Sequence, residues 1–496
     1  MQDAHDLGVI LQTRIPLVIF ESHDEQGALE LLQRVARGQS RSLYRWSVTD
    51  GLAVAGFGLQ IEKAAEHAEP EELLAYLKNR AKPGIYVLCD FHPWLDDGHP
   101  KIVRLIKDIA LRNEHGGITL VLLSHRLSVP PELSRLRMRC AVNLPTEAEI
   151  MALVKEEARK WTTANQGNRV KADPRAVQLL ASNLKGLSHA EVKRLARGAI
   201  VNDGAITESD IPAINRAKFS LLEMDGVLSF EYDTEPFANV AGMDNLKQWL
   251  SLRQPSLGAG TGPGGVDQPR GILLLGVQGG GKSLAARAVA GLWSLPLLRM
   301  DIGALYNKFY GETERNLRES LALADQMAPC VLWIDEIEKG LAPDGSDGGL
   351  SQRVLGTLLT WMAERKSAVF LVATANDIDR LPPELVRKGR FDELFFVDLP
   401  SAPVREQIFR IHLHRRGMDP ETFDLPLLAS SSEGFSGAEI EQAVVAGLYR
   451  AHADAVALNT EQLEAELMRT SPLATIMAER IAGLRHWARA RNVPDA

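Results

Sequence analysis

Cysteine is nearly absent from this chain of 496 residues: only Cys89, Cys140 and Cys330 occur. Their spacing matches no zinc-binding or redox pattern, and all lie in or beside apolar strand-like runs (YVLCD, RCAVNL and APCVLWID). They are therefore expected to be buried, reduced thiols of a cytosolic protein rather than parts of a disulfide scaffold. Basic charge is not in excess either. Lys and Arg number 56 against 64 Asp and Glu, a net charge of -8. That balance argues against a protein that holds nucleic acid by bulk charge, although a basic pore inside an acidic ring would escape the test. Long apolar runs are lacking too. None approaches the ~18 residues that cross a bilayer, and the opening MQDAHDLGVI has no basic stretch followed by an apolar one, as a secretory leader would. No membrane association is expected. The 45% hydrophobic and 24% charged residues match a soluble globular protein, and the length suits about two to four domains.

Short Val/Ile/Leu runs alternate with helical patterns in both halves. IPLVIF (15–20), GIYVLCD (84–90) and ITLVLLS (118–124) read as buried parallel strands, as do GILLLG (271–276), CVLWIDE (330–336) and AVFLVATAN (368–376). A Gly- and Pro-rich loop over 255–269 cannot hold a helix or central strand. The halves also match one another. PPEL recurs at 130–133 and 382–385, VNLP at 142–145 answers VDLP at 397–400, and LLASNLKGLSHAE (179–191) answers LLASSSEGFSGAE (427–439). Three matches in the same order indicate a duplicated unit.

The second half carries a phosphate-binding pattern. Gly276, Val277, Gln278, Gly279, Gly280, Gly281, Lys282 and Ser283 fit G-x-x-x-x-G-K-[ST], between a strand and the helical run SLAARAVAGL. Glycines let backbone N–H groups close around phosphates, and a helix N-terminus favours an anion. Lys282 is expected at the β- and γ-phosphates of ATP and the Ser283 hydroxyl on Mg2+. A strand ending in Asp335 and Glu336 follows Lys282 by 53 residues. Asp335 is expected to hold the Mg2+ water shell and Glu336 to polarise the attacking water. A third strand ends in Asn376 and leads into DRLPPELVRKGRFDELF.

The stretch Ala375 to Phe391 resembles the second region of homology of the AAA ATPases in their narrow sense. The resemblance implies that Asn376 is a sensor for the water, and that Arg387 and Arg390 are arginine fingers serving a neighbouring subunit. Hydrolysis then implies a homo-oligomeric ring, expected to be a hexamer. FANVAG (237–242) resembles the family's opening segment, which places Ala241 and Gly242 at adenine, and GFSGAE (434–439) resembles the start of a lid helix. KFYGETE (308–314) resembles the first pore loop, with Phe309, Tyr310 and Gly311 gripping a polypeptide; the alternative is that Phe309 and Tyr310 are ordinary core residues. KGLAPDGSDGG (339–349) is expected to be a mobile second loop.

In the first half the phosphate-binding position reads Glu21, Ser22, His23, Asp24, Glu25, Gln26 and Gly27, with no lysine and no glycine cluster. Asp90 persists, but Phe91 stands where the catalytic Glu belongs. Aligned on PPEL, Ser124 falls on Asn376. This half is expected to be a degenerate AAA-like module without hydrolysis, the alternative being an unrelated α/β domain. A decayed first module before an intact second one resembles the AAA proteins named after a hypothetical chloroplast reading frame, frame forty-six, of plastids and bacteria. That implies a bacterial cytoplasmic or plastid stromal location.

The expected architecture is therefore α/β: a degenerate module over 1–215, a linker over 216–235, a P-loop NTPase parallel sheet over 236–402, a helical lid over 403–475 and a C-terminal helix over 476–496. The expected activity is ATP hydrolysis with ATP and Mg2+. It would be coupled to remodelling or threading a protein client of unknown identity. A nucleotide-gated switch or scaffold, whose first module binds a regulatory partner, is the alternative; nucleic-acid remodelling is disfavoured by charge.

Overall fold

A computed structural model of the chain describes all residues except 1, 14, 23, 55–65, 97, 126, 142–143, 223–226, 232–238, 257–265, 306–312, 342–347 and 388; for 2–5, 113–116, 141, 255, 304 and 348–350 it describes only the backbone. The chain forms two compact units, one of Met1–Lys171 with Lys185–Ala205, the other of Ala172–Leu184 with Ile206–Ala496. This division does not follow the expected boundary at 215, because the helices Pro174–Asn183 and Ile211–Leu221 cluster with the second unit.

The first unit is built on β1 (Leu17–Glu21), β2 (Leu43–Ser47), β3 (Gly51–Val54), β4 (Gly84–Cys89), β5 (Ile118–Ser124) and β6 (Arg137–Ala141). Their order across the sheet is β3-β2-β4-β5-β1-β6, parallel except for β3. The second unit is built on β7 (Leu228–Glu231), β8 (Gly271–Gly276), β9 (Leu297–Met300), β10 (Cys330–Ile334), β11 (Val369–Ala375) and β12 (Glu393–Val397), in the order β12-β8-β11-β10-β9-β7. Here only β7 runs antiparallel. Strip the antiparallel edge strand from each sheet and the remaining five follow one order, with β1 answering β8, β4 answering β10 and β5 answering β11. That correspondence agrees with the duplication read from sequence. The edge strand is not part of it: β3 follows β2, whereas β7 precedes the P-loop strand.

Both sheets are covered on both faces, which is why their strands are continuously apolar. In β8, Leu273 and Leu275 face one core, with the helices Thr313–Met327 and Gly348–Glu364, while Ile272 and Leu274 face the other, with the helix Lys282–Trp293. In β1, Leu17 and Ile19 alternate with Val18 and Phe20 in the same way. Cys89 and Cys330 are buried, and burial pushes both thiols up to about 12. Cys140 departs from expectation. It is only half-buried, because β6 lies at the edge of its sheet.

The lid packs the helices Ala402–Arg415, Leu425–Ser431, Gly437–Ala453 and Thr460–Arg469 around Phe409, Leu413, Phe435, Ile440 and Leu463. The matched segments of the two halves make the same local structure. Ser188 and Ser436 each cap a helix reciprocally with a glutamate three residues on, Glu191 and Glu439. The last helix, Ala478–Ala490, is fixed by a two-toothed ion pair from Arg485 to Asp398 (2.8 and 2.9 Å) and by Arg480 to Asp377 (3.1 Å). The tail beyond it runs along β12: Phe396 N donates to Pro494 O (2.8 Å) and Ala496 N to Phe396 O (2.9 Å). Among the described residues no helix is long and apolar enough to cross a membrane.

Leu274 is fully buried, so Leu274→Ala should destabilise the second unit by about 2–5 kcal/mol. Leu427 is 40% exposed, and Leu427→Ala should change stability by no more than about 0.5 kcal/mol. Urea midpoints followed through tryptophan fluorescence will check both.

Candidate functional site

Parallel strands deliver their carboxyl ends to one edge of a sheet, where open α/β folds bind ligands. In the second unit that edge carries the P-loop after β8, Asp335 and Glu336 after β10, and Asn376 after β11. The P-loop turn needs glycine where the chain crowds its neighbours. Gly279 has φ +77°, and a Cβ there would lie 2.9 Å from the Ser436 hydroxyl at the start of the lid helix. Gly276 has φ +148°, and a Cβ there would lie 2.0 Å from Val397 O. Val277 N donates to that same carbonyl (3.0 Å) and Gly280 N to Val277 O (3.1 Å), so the turn is pinned to β12. Gln278 and Ser283 are exposed. The helix Lys282–Trp293 starts directly after Gly281, so its N-terminal dipole opens onto the loop.

Lys282 is folded inward. It is 6% exposed, and its ammonium donates to Gly276 O (3.0 Å) and Val277 O (2.8 Å). Burial pushes its pKa down to about 8, opposed by the carboxylates of Glu338, Asp335 and Glu336.

The acidic pair is held from three sides. Asp335 Oδ1 accepts from the Thr374 hydroxyl (2.7 Å) and Oδ2 from Arg299 Nη2 (3.1 Å). Glu336 sits at φ +48°, with Oε1 accepting from Asn376 Nδ2 (2.8 Å) and an ion pair to Lys339. The backbone N–H of Asn376 donates to Glu338 Oε1 (2.9 Å). Glu338 is 3% exposed, its Oε2 has no hydrogen-bond partner among the described residues, and burial raises its pKa. Thr374, Arg299, Lys339 and Glu338 escaped sequence reasoning. Only Glu338 left a trace there, as the third acid of the Asp-Glu-Ile-Glu run; Arg299 arrives from β9, far off in sequence.

Ala241 and Gly242 join the same region. Gly242 is buried, with φ +66°, and its N–H donates to Gln407 Oε1 on the first lid helix (3.3 Å). Next to it, Met243 Cε lies 3.2 Å from where a Cβ on Gly281 would be. The P-loop, opening segment and lid thus meet at one place. Cradle, ammonium and hard oxygen donors suit a magnesium nucleotide, with Ser283 and Asp335 the oxygens that Mg2+ would take. Arg387 and Arg390 are not part of this network. Arg387 is exposed, Arg390 Nη1 donates to Leu359 O (2.6 Å), and among the described residues no hydrogen bond joins either to the P-loop or the acidic pair. Phe309, Tyr310 and Gly311 lie outside the described residues, as do Phe237, Ala238 and most of the expected second loop.

The matching edge of the first unit has a different chemistry. After β1, Glu21 Oε1 accepts from Leu127 N (3.0 Å) and Asp24 caps the following helix through Gly27 N (2.8 Å). Carboxylates therefore occupy the place of the phosphate cradle. After β4 and β5, the Ser124 hydroxyl donates to Asp90 Oδ1 (3.1 Å), as Thr374 does to Asp335. Register agrees, since Cys89 pairs with Leu123 and Ile334 with Ala373. Ser124 therefore answers Thr374, not Asn376. The alignment on PPEL misled because the intervening loop is two residues shorter in the first half.

Residues 272–399 match the model of the ATPase family associated with various cellular activities (AAA). Residues 3–142 and 148–225 match the N-terminal and second domains of the SpoVK-like AAA ATPases. Over nearly its whole length the chain is similar to the AAA domain-containing proteins ycf46 of Trieres chinensis (33% identity, 97% of this chain and 96% of that one) and Pyropia yezoensis (32%, 99% of each). Across 38% of its length it is 40% identical to the proteasome-activating nucleotidase of Aeropyrum pernix, covering 47% of that protein.

Glu338→Gln keeps an oxygen for Asn376 N and removes a charge that burial penalises. Because the folded pKa is raised, the wild-type carboxyl favours folding when protonated and loses that advantage as pH rises through the folded value. The variant should therefore be more stable than wild type at pH ~7, with the gap closing as pH falls toward the ordinary carboxylate range of ~4.3. Denaturant midpoints across that range will measure it.

Proposed function

Because the chain belongs to the AAA ATPases, in the group of the AAA domain-containing proteins ycf46, we propose that its second unit hydrolyses ATP to ADP and phosphate at subunit interfaces of a homo-oligomeric ring, a hexamer, to remodel or thread a protein client. The observation that carries this reading is the Asn376–Glu336 hydrogen bond (2.8 Å) beside Asp335 on the edge that presents the P-loop.

The backbone N–H groups of Gly279 and Gly281 and the following helix N-terminus bind the phosphates. Lys282 leaves the carbonyls of Gly276 and Val277 to meet the β- and γ-oxygens. Ser283 and Asp335 would hold Mg2+, which would supply neutralisation of phosphate charge. The Thr374 and Arg299 contacts keep the Asp335 carboxylate from rotating. Asn376 aims the Glu336 carboxylate, which takes the proton of the attacking water. Ala241 and Gly242 lie beside the adenine. Exposed Arg387 reaches the γ-phosphate of a neighbouring subunit, and Arg390, tied to Leu359, braces the loop that presents it. Phe309, Tyr310 and Gly311 are assigned to the client-gripping loop. Similarity to a nucleotidase named for activating a proteasome favours a polypeptide client. A second reading, a nucleotide-gated switch, draws on the first unit, which keeps the strand order while carboxylates fill its cradle. There the first unit would bind a regulatory partner and hydrolysis would only reset the ring.

Lys282→Ala should abolish ATP binding, whereas Glu336→Gln should keep binding and lose turnover by about 10²–10⁴-fold; fluorescent-nucleotide titration and phosphate release measure the two. Normal turnover by Glu336→Gln would overturn the assignment. Arginine fingers supply on the order of 10³–10⁵ in rate, so Arg387→Ala alone should be nearly inactive. Mixed with Lys282→Ala it should regain activity, because some interfaces then pair an intact site with an intact finger. Absence of rescue in mixtures that light scattering shows to co-assemble would refute a shared site.

A further inference from the structure

The carboxyl edge of the first sheet has exchanged one chemistry for another. Beside Asp90, the short turn His92–Trp94 follows β4, and His125 follows β5. His92 Nδ1 lies 2.8 Å from the Ser124 hydroxyl and His125 Nδ1 3.4 Å from it, with Asp90 Oδ1 at 3.1 Å. One ligand-type atom from each of Asp90, His92 and His125 falls within 4.8 Å of the other two. The imidazoles meet edge to face, with centroids 4.9 Å apart. Three groups thus converge on one hydroxyl, which has a single proton to give.

The geometry points to a binding site for a divalent transition metal of the zinc class, held by Asp90, His92 and His125. Two imidazoles and a carboxylate are borderline donors that select such ions over Mg2+, which takes oxygen. Three protein ligands leave a position open to water. Ligands ~2.0–2.1 Å from a tetrahedral zinc ion stand ~3.4 Å from one another, so the present spacing must close by about an ångström. The side chains of Asp90 and His92 are 66% and 34% exposed, which leaves them room to turn. Their backbone is firmer. Asp90 is held at φ +50°, rarely adopted outside glycine. Phe91 is fully buried against Trp46 and Trp94, which fixes the turn carrying His92. Ser124 then acts as a positioning residue, donating to Asp90 from behind. The site is not a relic of nucleotide-bound magnesium. The neighbouring strand end offers Glu21 and Asp24 where a phosphate would need amides and lysine, and the histidines have no counterpart in the second unit.

The test uses the full chain, nucleotide-free and stripped with a chelator. Zn2+ is titrated in competition with a chromophoric chelator, and Co2+ is followed by visible absorption. The expected result is one Zn2+ per chain and an intense Co2+ spectrum of low coordination number. His92→Ala and His125→Ala should each weaken binding at least ~10-fold and bleach that spectrum, Ser124→Ala should weaken it less, and Asp335→Asn in the other unit should leave it unchanged. Binding that survives the double variant His92→Ala/His125→Ala, with circular dichroism showing the fold retained, would overturn the proposal. So would failure of the wild-type protein to compete with the chelator.

Discussion

The register between β10 and β11 is the constraint on which the second unit turns. Pairing Ile334 with Ala373 brings the next residues, Asp335 and Thr374, within one hydrogen bond, and leaves the Glu336 carboxylate within reach of the Asn376 side chain. A slip of one residue would turn the slipped strand's side chains to the wrong face. The continuous apolar character of the strands serves that alignment. Cores on both sides of the sheet leave no freedom to slide, so a carboxylate and an amide from segments 40 residues apart meet at 2.8 Å. The P-loop depends on the same sheet, since its first turn hangs on Val397 O at the end of β12.

The two units share five strand positions and differ at the strand ends. A core tolerates substitution while its pattern and volume are kept, so a duplicated sheet can persist while the loops at its edge change. Glu21 and Asp24 bond to backbone N–H groups at the place where the second unit carries its glycine-rich turn. Fold and function have separated along the chain: the first is carried by alternation within strands, the second by the two or three residues beyond each strand end.

What the sequence disclosed follows the same line. The P-loop, the Asp335–Glu336 pair and Asn376 were legible because each is a local pattern in a local context. Through-space partners were not. Arg299 reaches Asp335 from another strand, and nothing in the spacing announces it. Glu338 is buried by the packing around Asn376, which no window of sequence contains. His92 and His125 stand 33 residues apart and look unremarkable until β4 and β5 are laid side by side. Ser124 was placed against the wrong partner because a proline-anchored alignment ignores loop length, whereas strand register does not. The division into units was hidden too, because helices adjacent in sequence cluster with different cores.

The tail that runs along β12 has a consequence for how copies of this chain can meet. An edge strand presents unpaired N–H and C=O groups, and such an edge invites another chain to extend the sheet. At Phe396 both groups are already taken by Pro494 and Ala496 of the same molecule, and the helix before them is clasped by Asp398 and Asp377. A neighbouring copy approaching this side cannot add a strand there without first peeling the tail away. Contacts on that flank are left to side chains, whose shape and charge can discriminate between partners where a bare ladder of amides would accept almost any of them.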